Sequence, residues 1–237
     1  MSMSRKIAAR ILVLSILLVL PAAVSQAKEK VVPVCEEPMH QLVFQHDRVR
    51  VLDVQIPPGA TSLYHIHGAP IFYVAIDISP VDAQPAGGEW SETRVSEWTP
   101  GQVAYDLRYA EEPFTHRIRN VGTEPFRLIA VTNSGPGTRS AGPVRGSELP
   151  GELENEVAWF RQSRVTLTQG ESSGWFRSTF PVVVVQVESG DVEVLSEDGD
   201  GQAMTSAGSF SYVEPGVGSE IRNRGAGPVT LVVIEAR

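Results

Sequence analysis

The second half of this chain repeats the first, and the repeat constrains the fold more than any other feature. Residues 116–131 align without gaps with residues 219–234, and six of the 16 positions are identical. Residues 101–105 and 54–59 likewise match 208–212 and 165–170. The repeat predicts two domains of about 100 residues each, a common size for one compact core. The six identical pairs are Ile118/Ile221, Arg119/Arg222, Asn120/Asn223, Gly122/Gly225, Pro125/Pro228 and Leu128/Leu231.

Each copy has the pattern of short β-strands separated by turns. Residues 49–56 alternate apolar and polar side chains, as a half-buried strand does. Residues 71–78 and 182–187 are rich in β-branched side chains, and the second run is apolar enough to be buried on both faces. The 21 Gly and 17 Pro residues supply frequent turn signals. The sequence therefore predicts an all-β protein made of sandwiches or small barrels.

A segment of linker composition separates the two copies. Residues 133–156 contain five Gly and three Pro and show little apolar periodicity. We therefore expect an N-terminal domain over residues 28–132 and a C-terminal domain over residues 157–237. The stretch 152–160 is compatible with one or two helical turns.

The first 27 residues have the features of a cleavable signal peptide. Three basic residues precede the mostly apolar run 11–20, and Ser25 and Ala27 are small residues at the −3 and −1 positions of a cleavage site. The run is shorter than the roughly 20 residues that a membrane-spanning helix requires. We expect export to the periplasm or the medium, without stable insertion in a membrane.

Charge and cysteine content exclude several classes of protein. With 20 Lys and Arg against 28 Asp and Glu, the net charge of −8 lacks the basic surface that binds nucleic acid. Cys35 is the only cysteine, so the chain holds no intramolecular disulfide, zinc ribbon or iron–sulfur cluster. The partner expected is a small-molecule ligand or substrate, and the sequence leaves a homodimer open.

Three of the five histidines form a pattern suited to metal binding. His65 and His67 are two residues apart, so in a β-strand their side chains point to the same face. His116 lies on a segment that the repeat identifies as a strand, and a facing strand can supply a third imidazole. Imidazole binds Fe, Ni, Cu, Mn and Zn, so these ligands alone do not select a metal. The alternative is an HxH pair that faces solvent and binds nothing.

These residues resemble the sequence motifs of the cupin superfamily. Its first motif, G-x5-H-x-H-x(3,4)-E, is matched from Gly59 through His65 and His67, and the H-x3-N ending of its second motif is matched by His116 and Asn120. Together with the repeat, the resemblance covers nearly all of the chain after residue 27. It implies a bicupin, meaning two jelly-roll β-barrels in tandem. This fold hosts many chemistries and many non-enzymes, so the resemblance is specific for fold rather than function.

The first motif departs from the superfamily pattern at its metal-binding glutamate. That glutamate should fall at Ile71 or Phe72, and neither side chain binds metal. Glu111 or Glu112 is a candidate replacement, although both have the character of solvated loop charges. A site of three histidines resembles that of the thiol, gentisate and β-diketone dioxygenases of the superfamily. This implies one divalent transition metal, with Fe(II) favoured and Mn, Ni, Zn or Cu as alternatives.

Three neutral ligands leave a divalent ion its full charge, which favours an anionic substrate or a bound hydroxide. Tyr73 is the candidate catalytic residue beside the metal, because it shares strand parity with His65 and His67 and should point into the barrel as an acid or hydrogen-bond donor. The alternative is a core tyrosine with a backbone partner.

Other polar residues are interpreted as structural. Tyr105 and Asn120 recur as Tyr212 and Asn223 in the second copy, which indicates packing and turn roles. The remaining histidines, His40 and His46, precede the predicted barrel and are interpreted as surface or capping residues, with a second metal site as the alternative.

The second copy lacks the metal ligands, so we expect it to be structural. Two functions remain open for the chain. One is a metal-dependent enzyme, with an Fe(II) dioxygenase acting on a small anionic or enolisable substrate as the favoured form. The other is a non-catalytic protein that binds or senses a small molecule. The residues that align with His65, His67 and His116 are Phe176, Ser178 and Ser219.

Overall fold

A computed structural model describes residues 29–93, 97–138 and 147–237. The predicted signal peptide, residues 1–27, lies outside them. Over the described residues the regular structure consists of β-strands and short 3₁₀ turns, with no α-helix, which confirms the all-β prediction. None of the helical segments in these ranges is long and apolar enough to cross a membrane.

The described strands of the first half are β1 (Val31–Pro33), β2 (His40–His46), β3 (Val49–Ile56), β4 (Tyr64–His67), β5 (Ile71–Asp77), β6 (Val81–Pro85), β7 (Ser91–Glu92), β8 (Val103–Asp106), β9 (Phe114–Asn120) and β10 (Phe126–Asn133). Those of the second half are β11 (Glu152–Glu156), β12 (Phe160–Leu167), β13 (Ser172–Phe176), β14 (Val182–Gln186), β15 (Val192–Ser196), β16 (Gly201–Met204), β17 (Phe210–Val213), β18 (Ser219–Asn223) and β19 (Val229–Ala236). Two 3₁₀ turns are Val34–Glu36 and Arg108–Ala110.

The repeat in the sequence is also a repeat in the sheet topology. In the first half the strands form two sheets, ordered β1-β4-β9-β6-β7 and β2-β3-β10-β5-β8. The second half has the corresponding orders β13-β18-β15-β16 and β11-β12-β19-β14-β17. The register repeats too, since His65 pairs with His116 and Phe176 pairs with Ser219. This register supports the alignment of Phe176 and Ser219 with two of the three histidines.

The expected helical turns over residues 152–160 are wrong. Glu152–Glu156 forms strand β11, which pairs antiparallel with β12. Glu154 accepts hydrogen bonds from Arg164 and Gln162 of that neighbouring strand. Pairing with an available sheet edge therefore overrides the weak local preference of an acidic segment.

Among the described residues the interior contains three apolar clusters, one within each half and one between them. The cluster between the halves joins the sheet that contains β3, β5 and β10 to the sheet that contains β12, β14 and β19. Strand β14 contributes to two clusters because its alternate residues face opposite sides, as its continuous apolar run predicts. The buried members of the cluster between the halves are Val49, Val51, Phe72, Val74, Ile76, Ile129, Val131, Phe160, Val183, Val185, Val187, Val232, Ile234 and Ala236.

The recurring asparagines hold equivalent turns in the two halves. Asn120 donates from Nδ2 to the carbonyls of Ile56 and Glu124, and its Oδ1 accepts from the Gly122 amide. Asn223 makes the same three kinds of bond, to Leu167, Gly227 and Gly225. Both side chains are buried, so these bonds satisfy backbone groups that water does not reach.

Candidate metal centre

The three predicted histidines converge in the first half. Strands β4 and β9 pair antiparallel with His65 opposite His116, and strand alternation places His67 on the same face as His65. One nitrogen from each of the three rings lies within 4.8 Å of the others. In the parts of the chain that the structure describes, this is the one cluster of three or more potential metal-ligating side chains.

The spacing of the nitrogens fits ligands of one ion. Nε2 of His67 lies 3.0 Å from Nε2 of His116. Two nitrogens bound at about 2.1 Å and at right angles on one transition metal would be about 3.0 Å apart. The geometry of this pair therefore suits adjacent coordination positions.

The tautomer of His65 also suits a ligand. Its Nδ1 lies 3.0 Å from the Leu63 carbonyl oxygen, which can only accept, so Nδ1 carries the proton. Nε2 is then left with a lone pair, and this atom is buried without a hydrogen-bond partner. A buried polar atom without a partner needs an explanation, and a metal ion at this position supplies one.

The electrostatics of the site favour neutral imidazoles. Burial, followed by the charges of neighbouring histidines, lowers the pKa of His65 and His67 well below the usual value. The pKa of His116 is lowered to about 4, again first by burial and then by His40. Because metal ligation requires the unprotonated ring, these shifts keep the site competent to bind metal at neutral pH.

A buried carboxylate–histidine pair lies beside the three ligands, and sequence reasoning missed it. The interpretation of His40 as a surface or capping residue is wrong, because this residue is only 4% exposed and its ring centroid is 4.2 Å from that of His65. Its Nδ1 is 2.6 Å from Oε2 of the buried Glu37. Hydrogen bonding lowers the pKa of Glu37 even though burial, the largest single influence, acts to raise it.

Glu37 connects this pair to the ligand set. Its Oε1 accepts a hydrogen bond from the amide of Leu63, whose carbonyl holds His65. Both residues follow the 3₁₀ turn after β1, with Glu37 at the end of that turn and His40 at the start of β2, and no periodic pattern in the sequence predicts their approach to the site. His46, by contrast, is partly exposed and contacts Tyr212 and Glu214 of the second half.

Tyr73 lines the cavity next to the ligands. The cavity has a volume of about 150 Å³, and its wall includes His40, His67, His116 and Tyr73 among mostly apolar side chains. Burial, with smaller contributions from Tyr109 and Asp106, raises the pKa of Tyr73 well above its ordinary value. Its hydroxyl therefore stays protonated at neutral pH and available as a hydrogen-bond donor.

No glutamate from the predicted positions reaches the ligands. Ile71 and Phe72, where the superfamily motif places its glutamate, are buried in apolar clusters. Glu111 and Glu112 are exposed and lie outside the cluster of ligating atoms.

The equivalent position in the second half contains no imidazole. Phe176 is buried in the apolar cluster of that half. Ser178, at the position of His67, is buried and donates a hydrogen bond to Glu235. The described second half therefore lacks the three imidazoles at this position, as the sequence predicted.

Comparison with known proteins identifies the fold. Neither a family model nor a curated protein matches this chain. Among solved structures, AerE from Microcystis aeruginosa has a TM-score of 0.57 at 13% identity, over 85% of this chain and 98% of that one. A cupin 2 conserved barrel domain protein from Leptotrichia buccalis has a TM-score of 0.51 at 9% identity, over 83% and 88%. Salicylate 1,2-dioxygenase from Pseudaminobacter salicylatoxidans has a TM-score of 0.53 at 11% identity, over 79% and 71%.

The chain thus has the cupin fold, with a three-histidine cluster of the kind that binds a metal ion. At these identities the similarity concerns the fold alone.

Proposed function

We propose that this protein is an exported, metal-dependent oxidoreductase of the dioxygenase type that acts on a small anionic or enolisable substrate. His65, His67 and His116 hold one divalent transition metal, with Fe(II) favoured. The observation that carries the proposal is the convergence of three neutral imidazoles, of which His65 presents a buried Nε2 without a hydrogen-bond partner. We also propose that the two halves are separate cupin barrels, which their matching strand orders support.

The surrounding residues suit chemistry at such an ion. A bound Fe(II) would supply Lewis acidity and redox chemistry. The three histidines leave its positive charge uncompensated, which favours an anionic group on the substrate. The apolar cavity wall excludes water, and the protonated hydroxyl of Tyr73 can orient a substrate oxygen by donating a hydrogen bond. The pair formed by Glu37 and His40 keeps a second hydrogen-bonding group on the same wall.

Metal analysis of tag-free protein tests the ligand set. After reconstitution with Fe(II), Mn(II), Ni(II) or Zn(II), we expect about one ion per chain in the wild type and near zero in His65→Ala and His116→Ala. His46→Ala is the matched control, since His46 lies outside the three-histidine cluster and contacts Glu214 of the second half. A wild-type stoichiometry near zero with all four metals would contradict the proposal.

Oxygen uptake tests the reaction type. Iron-loaded protein is offered thiols, catechols, aromatic acids and β-diketones, and oxygen consumption that depends on both iron and one of these substrates is expected. Tyr73→Phe should slow this reaction while keeping the metal. If no compound supports uptake but one raises the melting temperature of the metal-loaded protein, the chain is a non-catalytic binding protein.

Export rests on the N-terminal sequence features and has its own test. Expression of the full chain with N-terminal sequencing of the secreted or periplasmic product should give a mature protein that starts at Lys28. An uncleaved N-terminus in the cytoplasmic fraction would refute this part.

A further inference from the structure

In the described part of the chain, one arginine of the first half has no carboxylate partner and lines a pocket beside the metal site. Arg50 lines an open pocket of about 310 Å³ that also includes the metal-site residue His67. Its Nε donates to the side chain of Gln45 at 3.2 Å. Within the described ranges, no Asp or Glu oxygen lies within 4.0 Å of its guanidinium.

In the second half, the arginine at the equivalent position faces a glutamate across the sheet. Arg50 on β3 pairs across the sheet with Thr132 on β10. At the equivalent register of the second half, Arg161 on β12 pairs with Glu235 on β19. The two arginines are 111 residues apart, and the pair Thr132 and Glu235 are 103 apart, which are the spacings of the repeat in these strands.

Arginine and serine side chains surround the carboxylate of Glu235, as they would surround a bound carboxylate ligand. Glu235 is fully buried, and its Oε1 lies 3.7 Å from Nη1 of Arg161 and 3.2 Å from Nε of Arg237. Its Oε2 accepts hydrogen bonds from the hydroxyls of Ser178 and Ser147. Ser178 stands at the position of His67, so this carboxylate lies where the first half has its pocket beside the metal site.

We propose that the pocket at Arg50 binds the carboxylate of a small organic acid, in the place that the Glu235 side chain occupies in the second half. The first half retains the arginine and replaces the built-in carboxylate by Thr132, whose hydroxyl adds a second hydrogen-bonding group on the pocket wall. Arginine binds carboxylates through two parallel N–H donors, which gives orientation as well as affinity. Because His67 borders the same pocket, an acid held by Arg50 extends towards the three histidines. That this acid is the substrate rests on the proposed function.

Binding of acetate and benzoate to metal-free protein tests the proposal, with acetamide and benzamide as neutral matches. We expect calorimetry or NMR titration to show that at least one acid binds and its amide does not. Arg50→Gln should weaken that binding by about 10- to 100-fold, and Arg50→Lys by less, because a charge without the planar fork remains. Thr132→Glu installs the carboxylate of the second half and should abolish binding, while the neutral Thr132→Gln should retain part of it.

Equal affinity for acid and amide, or binding that Arg50→Gln leaves unchanged, would overturn the proposal. Tighter binding of inorganic phosphate than of either acid would overturn the carboxylate class. The two Arg50 variants carry the test if Thr132→Glu does not fold. Metal content of the same samples separates the two claims. Arg50-dependent acid binding in a wild type that takes up no metal supports the carboxylate site and refutes the metal-dependent function.

Discussion

The apolar cluster between the halves should make them unfold together, and Phe72 is the residue that tests this best. Its side chain is fully buried on β5, and its ring centroid is 5.6 Å from that of Phe160 in the second half. Tyr105 stacks on it at 5.9 Å. Because neighbouring residues of a strand face opposite sides, Phe72 points towards the other half while Tyr73 points into the cavity of the metal centre.

The expected cost of Phe72→Ala is about 3–5 kcal/mol. Burial of a phenylalanine side chain contributes about 1.5–3 kcal/mol, and the aromatic contact with Phe160 adds about 0.5–1.5 kcal/mol. The cavity left between two rigid sheets accounts for the remainder, in the range found for such substitutions in cores. Phe160→Ala should cost about as much, and the double variant should cost less than the two single losses together, by about 1 kcal/mol.

Urea unfolding of metal-free protein, followed by far-UV circular dichroism, measures these losses. We expect one transition in every variant, at a lower midpoint in Phe72→Ala and Phe160→Ala. Trp175→Ala is the control, because it removes a large aromatic side chain that is 57% exposed and should cost less than about 0.5 kcal/mol. Two separate transitions, or a loss below about 1 kcal/mol for Phe72→Ala, would refute the shared core.

Three further predictions concern polar groups. The unfolded chain protonates His116 near pH 6.5 and the folded chain only near pH 4, so this residue alone should cost metal-free protein about 3 kcal/mol of stability as the pH falls through this window, and His65 and His67 should add to the loss. Urea midpoints at pH 7, 5.5 and 4 should therefore show a smaller loss in His116→Gln than in the wild type. Glu37→Ala should lower metal affinity by about 10- to 100-fold in competition titrations without removing a ligand, and an unchanged affinity would contradict its orienting role. Asn120→Ala and Asn223→Ala should each lower the free energy of unfolding by about 2–3 kcal/mol with no change in metal content, since both remove equivalent turn bonds. Asn120→Ala should be the costlier of the two, because it also removes the hydrogen bond that Oδ1 accepts from the Ser79 hydroxyl, and the reverse order would contradict this account.

The local pattern of the chain was sufficient to predict the all-β class, strands over residues 49–56, 71–78 and 182–187, and the three metal-ligating candidates. Strand alternation is a property of neighbouring residues, so the HxH spacing alone places His65 and His67 on one face. The repeat adds His116 because aligned copies fold with the same register, and the pairing of His65 with His116 agrees. The same alignment identified the loss of ligands in the second half.

Contacts between distant segments were decided by the tertiary structure. Glu37 and His40 were not predicted because they reach the site only when the 3₁₀ turn and β2 close over β4, and no periodicity encodes that approach. Strand β11 formed because a sheet edge was available to pair with it, although its own residues favour strands weakly.

The difference between Arg50 and Arg161 shows most clearly what the sequence determines and what only the tertiary structure decides. Both arginines are visible in the sequence as members of the repeat, and nothing local to either one says whether its charge is compensated. That depends on the residue across the sheet, about 80 positions further along the chain, which is Thr132 in one half and Glu235 in the other. Sheet pairing brings these residues together, so local sequence specifies the strands while the assembled sheets decide which polar groups are satisfied and which remain open to a ligand.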